Sequence, residues 1–483
     1  MRRFKLLLAV GSVLWLAACS GGNAAFTITS VTVTCLPSPI QSGQQVGCSA
    51  IVQGTGAFST MVNWTATAGS ITTAGVFTAP VVSGPTAVTI TATSTQDTTK
   101  SGTAIVIINP VNLQPITVDA GPQPQTFAAI NEAFTSVTVC VPNTNTCQTI
   151  DHVLVDTGTS GLRLLSSVLT IPLPPQNDSS GNPLDECAVF LDGYTWGPVS
   201  LADIVIAGEK AASAPVQVMI PASGSPPVPG SCSSQTMGPN QGNSVAALGA
   251  NGIIGLGLFQ QDCGSTCVTN SGPPYQYYDC PSSGCIPTTV TLVQQVPNPV
   301  TMFTLDNNGV LIFLPAVRNG GVSSQSGQLI FGIGTQSNNS LQSATVYTVP
   351  DSGPNKGDIT TTFNGVSYPG FLDSGSKGIF FLDTATTGIP TCTGQNSLWY
   401  CPVSSPDNLS ATIQGANGNQ GVVNFSIENT DVLLKTSNTA FSTLGGPQPG
   451  SFDFGLSFFY GKVVFTAIEN KITPGGQGPF VAY

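Results

Sequence analysis

The chain has 483 residues, of which only 7% are charged, 54 are Gly and 37 are Pro, and its formal net charge is −11 at pH 7. No basic stripe exists to meet phosphates, which excludes nucleic acid as an expected partner; the acidic balance favours solubility and leaves the substrate open. A single histidine, His152, disfavours zinc proteases and His-based triads, both of which depend on imidazole. With 41% apolar residues the chain can bury a large core. Short runs rich in Val, Ile and Thr, separated by Gly, Pro, Asn and Ser, predict an all-β protein.

Residues 1–18 read as a targeting segment. Arg2, Arg3 and Lys5 form a basic start, and the apolar run 6–16 is too short to span a bilayer as a mature helix. The run ends in Leu16-Ala17-Ala18-Cys19-Ser20, which resembles the bacterial lipoprotein signal. That resemblance implies a lipidated Cys19 as the new N-terminus, a tether at 19–25, and a membrane contact made by acyl chains while the body stays in water. A residue other than Asp after the Cys implies the outer membrane or cell surface. An ordinary signal peptide, with Cys19 incidental, is the alternative.

There are 13 cysteines, and setting Cys19 aside leaves an even number, as an oxidising compartment would use in disulfides. Cys35 and Cys48 lie in the first domain. Cys140 with Cys147 can close a hairpin, Cys392 with Cys401 can close a loop, and Cys187 is left to find Cys232. Cys263, Cys267, Cys280 and Cys285 form a local cluster. Its C-x3-C and C-x4-C spacings in a loop-like context point to disulfides rather than zinc, and no metal or cofactor is expected.

Residues 26–109 form a separate unit, with candidate strands at 28–35, 46–52, 61–66, 86–93 and 103–108. The run Val62-Asn63-Trp64-Thr65-Ala66, followed by Gly75-Val76-Phe77-Thr78-Ala79-Pro80, resembles the group 2 bacterial immunoglobulin-like domains. The resemblance implies a β-sandwich used as spacer or adhesion module, with Trp64 packed in its core. The Pro-punctuated stretch 110–127 reads as an extended linker.

The next stretch, His152-Val153-Leu154-Val155-Asp156-Thr157-Gly158-Thr159-Ser160-Gly161, organises the remainder. A near-copy follows much later as Gly370-Phe371-Leu372-Asp373-Ser374-Gly375-Ser376-Lys377-Gly378. Each is an apolar run, read as a buried strand, that delivers a carboxylate to a tight turn suited to Gly. A desolvated carboxylate needs partners, and hydroxyls stand beside each acid. One such pentapeptide is usually an ordinary Asp turn; two copies weaken that reading. His152, at the head of the first strand, reads as structural. Downstream of the first copy comes Gly252-Ile253-Ile254-Gly255-Leu256-Gly257, and downstream of the second Phe452-Asp453-Phe454-Gly455-Leu456-Ser457.

This ordered set resembles the pepsin-like aspartic proteases over roughly residues 128–470. So do Tyr194-Thr195-Trp196-Gly197 through Asp203-Ile204-Val205-Ile206-Ala207-Gly208, similar to that family's flap hairpin, and the run Phe458-Phe459-Tyr460-Gly461. The resemblance implies a bilobal acid-protease fold with lobes at 128–300 and 301–483. It implies a catalytic pair, Asp156 and Asp373, supported by Thr157, Thr159, Ser374 and Ser376. Thr157 and Ser374 would bond across to the opposite loop, while Thr159 and Ser376 would bond the outer carboxylate oxygens. Flap candidates are Tyr194, Trp196 and Phe190. Arg163 stands where the family has Trp, and Lys377 stands where it has a small residue, a cation that would favour the charged form of the pair. Pro221–Asn243 reads as a surface loop and 260–285 as an insertion.

Two close carboxylates cannot both ionise easily, so they share a proton. One can then deprotonate a water as it attacks a peptide carbonyl while the other donates to the oxyanion. The expected function is a lipid-anchored envelope aspartic endopeptidase, monomeric, acting on peptide or protein substrate. A non-catalytic surface-binding or adhesion lipoprotein on the same scaffold is the alternative.

Overall fold

Buried and exposed side chains alternate along strand after strand, as in Thr86–Ser94, where Val88, Ile90 and Ala92 are fully buried. A computed structural model describes residues 26–483 except 83–84, 124–128, 179 and 237. The expected targeting segment 1–18, the tether and Cys19 lie outside the described residues. The fold is all-β: among the described residues no helix exceeds five residues.

Contacts divide the chain into two units, one ending at Ile108 and one comprising Asn109–Tyr483 with 82–84. The first unit holds two four-stranded sheets. One orders Thr27–Cys35, Gln45–Thr55, Val76–Thr78 and Ser70–Ile71; the other orders Ile40–Gln41, Ser101–Asn109, Thr86–Ser94 and Val62–Ala66. The bridge Cys35–Cys48 staples two neighbouring strands. Phe77 is fully buried, whereas Trp64 is only half-buried, its ring against Gly75. The partial exposure of Trp64 corrects the expectation that it is packed in the core.

The second unit is built on a fifteen-stranded and a seven-stranded sheet. In the first, the Asp strand Cys147–Asp156 runs parallel to Gly252–Leu256, which in turn runs antiparallel to Ser160–Leu165. The chain therefore leaves Asp156, turns through Thr157–Thr159 and returns on the far side of the glycine-containing strand. The seven-stranded sheet repeats this: Val366–Leu372 is parallel to Gln448–Phe454, which is antiparallel to Ile379–Leu382. Val153, Val155, Ile254, Leu372, Phe452 and Phe454 are buried in one continuous core. Strands covered on both faces read as unbroken apolar runs, which is why the sequence marked them. This doubled loop is the bilobal arrangement that the pepsin-like resemblance implies.

Two boundaries differ from expectation. Within 110–127, Leu113–Val118 is a strand rather than a linker, paired on one side with Gln325–Phe331 and on the other with Ala133–Cys140. Ile116 and Val118 bury their side chains there. The join at 300/301 does not separate the sheets either. Gly309–Leu314, Gln325–Phe331, Lys462–Ala467, Phe480–Ala482 and Val346–Thr348 all extend the first sheet. All twelve cysteines beyond Cys19 are paired, and the local cluster resolves into Cys263–Cys267 and Cys280–Cys285.

Candidate active site

Each Asp sits where a buried strand ends and its turn begins, so the backbone amides of the turn face the carboxylate. Gly158 N donates to Asp156 Oδ1 at 2.7 Å, and Gly375 N donates to Asp373 Oδ1 at 2.8 Å. The outer oxygens accept from hydroxyls two residues past the turn's start: Thr159 Oγ1 to Asp156 Oδ2 at 2.5 Å, Ser376 Oγ to Asp373 Oδ2 at 3.0 Å. A Cβ added to Gly158 would lie 2.6 Å from Asp373 Cγ, and one on Gly375 would lie 2.8 Å from Asp156 Cγ. Each turn needs glycine because the opposite carboxyl occupies the side-chain space.

The loops are locked to one another by the inner hydroxyls. Thr157 Oγ1 donates to Leu372 O at 3.4 Å and accepts from Ser374 N at 3.0 Å. Ser374 Oγ donates to Val155 O at 2.7 Å and accepts from Thr157 N at 3.1 Å. Both side chains are buried, so these bonds form without competition from water. The two carboxyls are thereby held in hydrogen-bonding contact. Burial, and then the facing Asp373 charge, push the Asp156 carboxyl well above the usual carboxylate range; the Thr159 and Gly158 bonds oppose this. Two acids in this geometry can pass one proton between themselves, which is what general acid–base work on a water requires.

The two residues that depart from the family's pattern have their own partners. Lys377 Nζ lies 2.7 Å from the buried Glu132 Oε1, its side chain 46% exposed. The cation that stands beside the second Asp loop is thus paired with a buried acid of the first lobe. Arg163 is 2% exposed and reaches Glu186 Oε1 at 2.5 Å and Asp262 Oδ2 at 3.1 Å. Tyr277 donates to Asp262 at 2.8 Å and accepts from Val296 N at 2.8 Å. The insertion 260–285 thus buries Asp262 and Tyr277 to neutralise Arg163.

The flap candidates separate. Tyr194 and Trp196 pack with Cys187, Cys232 and Tyr278 in a small core of their own, and Trp196 Nε1 donates to Pro226 O at 3.0 Å. Phe190 instead packs against Leu154 and Ile253, neighbours of the first loop. His152 has a positive φ of 47° and lies 3.2 Å from Asp151 and 3.6 Å from Asp119.

Three further residues at the site were not singled out by the sequence. Asn131 is fully buried and donates to Lys377 O and Phe441 O, each at 2.7 Å, tying the first lobe to the second beside its Asp loop. Glu186 lies on Leu184–Phe190 with no charged neighbour nearby in sequence except Asp185. Asp453 lies buried beside Asp373. Its one sequence signal was an acid inside an otherwise bulky apolar run.

Residues 109–483 match the family described as "Protein of unknown function (DUF3443)", and the chain belongs to that family. No curated protein matches. Among solved structures, the aspartic proteinase from Irpex lacteus is similar over 77% of this chain and 96% of its own, at 14% identity and a TM-score of 0.46.

Proposed function

We propose that the chain is an aspartic endopeptidase that hydrolyses extended peptides with a water activated between Asp156 and Asp373. The supporting observation is the pair of facing carboxyls, held by reciprocal hydroxyl bonds between the two Asp loops. Asp156, whose charge is opposed by burial and by Asp373, holds the shared proton and donates it to the developing oxyanion. Asp373 takes the proton of the attacking water, and the amine leaves with a proton returned by the pair. No cofactor enters these steps. The test is cleavage of a denatured mixed-protein substrate from acid to neutral pH, with and without a statine-type inhibitor. Inhibitor-sensitive cleavage supports the reading; its absence across the range sinks it.

Arg163 and Lys377, which depart from the pepsin-like pattern and are each engaged by acids, favour a second reading, a binding protein on the same scaffold. That reading takes over if the protein binds a cell-envelope ligand while cleaving nothing. In either case we place the protein on the envelope through lipid at Cys19, by the Leu16-Ala17-Ala18-Cys19 junction. Cys19→Ala should release it from the membrane fraction; unchanged association without a lipid label at Cys19 would refute the anchor.

A further inference from the structure

The strands that back the two Asp loops align residue for residue, and one pair of equivalent positions differs in chemical kind. In the first lobe Ile253 pairs with Leu154 on one side and Arg163 on the other. In the second, Asp453 pairs with Phe371 and Phe380. Asp453 is 1% exposed, and its Oδ1 has no hydrogen-bond partner among the described residues. Ser376 lies over the end of the same strand, where a Cβ added to Gly455, two residues past Asp453, would lie 2.9 Å from Ser376 Cβ; its hydroxyl acts on the Asp453 carboxyl and donates to Asp373 Oδ2 at 3.0 Å.

Among the described residues no cation is paired with this acid. The paired neighbours on both flanking strands are phenylalanines, and the charges that act on it are those of Asp373 and Asp156. Lys377, next in sequence to Ser376, is engaged by Glu132. Burial first, then the Asp373 charge, push the Asp453 carboxyl well above the ordinary range, with Ser376 opposing. A buried carboxyl among acids and aromatic rings keeps its proton, and a protonated carboxyl has one hydrogen to donate.

We propose that Asp453 is a positioning residue: as a neutral acid it donates to Ser376 Oγ, which commits the Ser376 hydrogen to Asp373 Oδ2 and fixes Asp373 as the member of the pair that accepts the proton of water. The proposal rests on the endopeptidase reading. Asp156 lacks such a relay, because the residue equivalent to Asp453 is Ile253. The chain of donors therefore makes the pair unequal before substrate arrives. Above the pH at which Asp453 ionises, the donor is lost and a third negative charge stands behind Asp373, so turnover falls.

Two variants test this in the full chain, each checked by thermal melting. Asp453→Asn keeps a donor for Ser376 without a titrating proton. It should retain kcat at the acid optimum, while the alkaline limb of its pH profile moves upward. Asp453→Leu removes the donor and should lower kcat about tenfold with KM unchanged, the size expected for one hydrogen bond to a charged group. A wild type that cleaves nothing overturns the endopeptidase reading and the relay with it. An active wild type whose pH profile is unchanged in Asp453→Asn overturns the relay alone. If Asp453→Leu does not fold, the Asp453→Asn profile still decides. Loss of all activity in a folded Asp453→Asn would also overturn it, because the amide preserves the donor.

Discussion

The two Asp loops match almost atom for atom in their hydrogen bonds, yet the layers beneath them are made of different material. Under the first, Arg163 is clamped between Glu186 and Asp262, with Tyr277 closing the set. Under the second, the equivalent position is Phe380, whose ring lies 5.1 Å from Trp399, while Phe381, Phe452 and Phe454 stack in the buried core. The loops require glycine, hydroxyls and a rigid floor. That floor can be a closed charge cluster or a packed set of rings, since both resist displacement.

The largest expected effect tests what the loops share. Asp373→Asn, and equally Asp156→Asn, should lower kcat by at least about a thousandfold, with the double variant no worse, because the pair acts as a unit. Chemical denaturation should show little lost stability in either, since one of two repelling carboxylates is removed. Cleavage that survives either change, with contaminants excluded, would assign the chemistry elsewhere.

The next tests what they do not share. Arg163→Ala leaves buried acids without a counterion and should destabilise by about 3–5 kcal/mol in urea unfolding. Phe380→Ala, at the equivalent but half-buried ring, should cost about 2 kcal/mol. Equal losses would mean the charge cluster is no more than packing.

A third effect is confined to the first lobe. Asp185 is 1% exposed, neither oxygen has a partner among the described residues, and burial pushes its carboxyl up to about 7. The folded value is raised, so its contribution is fully present below the ordinary value of about 3.9 and is lost as pH rises through about 7. Asp185→Asn should flatten the fall in unfolding free energy across that window and leave the variant more stable at pH 8 by about 1–3 kcal/mol. A variant that tracks wild type at every pH would show that Asp185 reaches water. The smallest effect belongs to Lys377→Ser, which removes a half-exposed ion pair with Glu132 and should cost about 1 kcal/mol. The acid limb of activity should not move; an upward shift would return Lys377 to the pair's electrostatics.

The sequence made the loops legible because their chemistry is local: an acid, its turn glycine and its hydroxyls fall within four residues, and the apolar residues just before Asp156 are buried on both faces. Short-range disulfides were legible for the same reason. The floor was not. Arg163 and Glu186 lie on strands with two others between them in the sheet, and Asp262 comes from a loop, so nothing near Arg163 in sequence announces its partners. The packing of Tyr194 and Trp196 beside the Cys187–Cys232 bridge was not legible, because an aromatic hairpin carries no mark of what its rings pack against. At 110–127 the prolines hid the buried, half-buried, buried run Ile116-Thr117-Val118, although Pro115 sits in the strand and accepts from Thr135 Oγ1 at 3.0 Å.

That misread strand governs when the molecule can close. Asn112 Nδ2 donates to Phe331 O at 2.9 Å across 219 positions, and Leu113–Val118 then zips along Gln325–Phe331. A chain leaving a ribosome or translocation pore N-terminus first has made the whole first Asp loop long before the partner of this seam exists. The seam closes late, at the entropic expense of a very long loop, and until then one edge of the growing sheet stays open to wrong partners. Assembly of the central sheet is therefore a slow, post-synthetic event, and chaperone demand should peak while residues between the two seam strands are still being delivered.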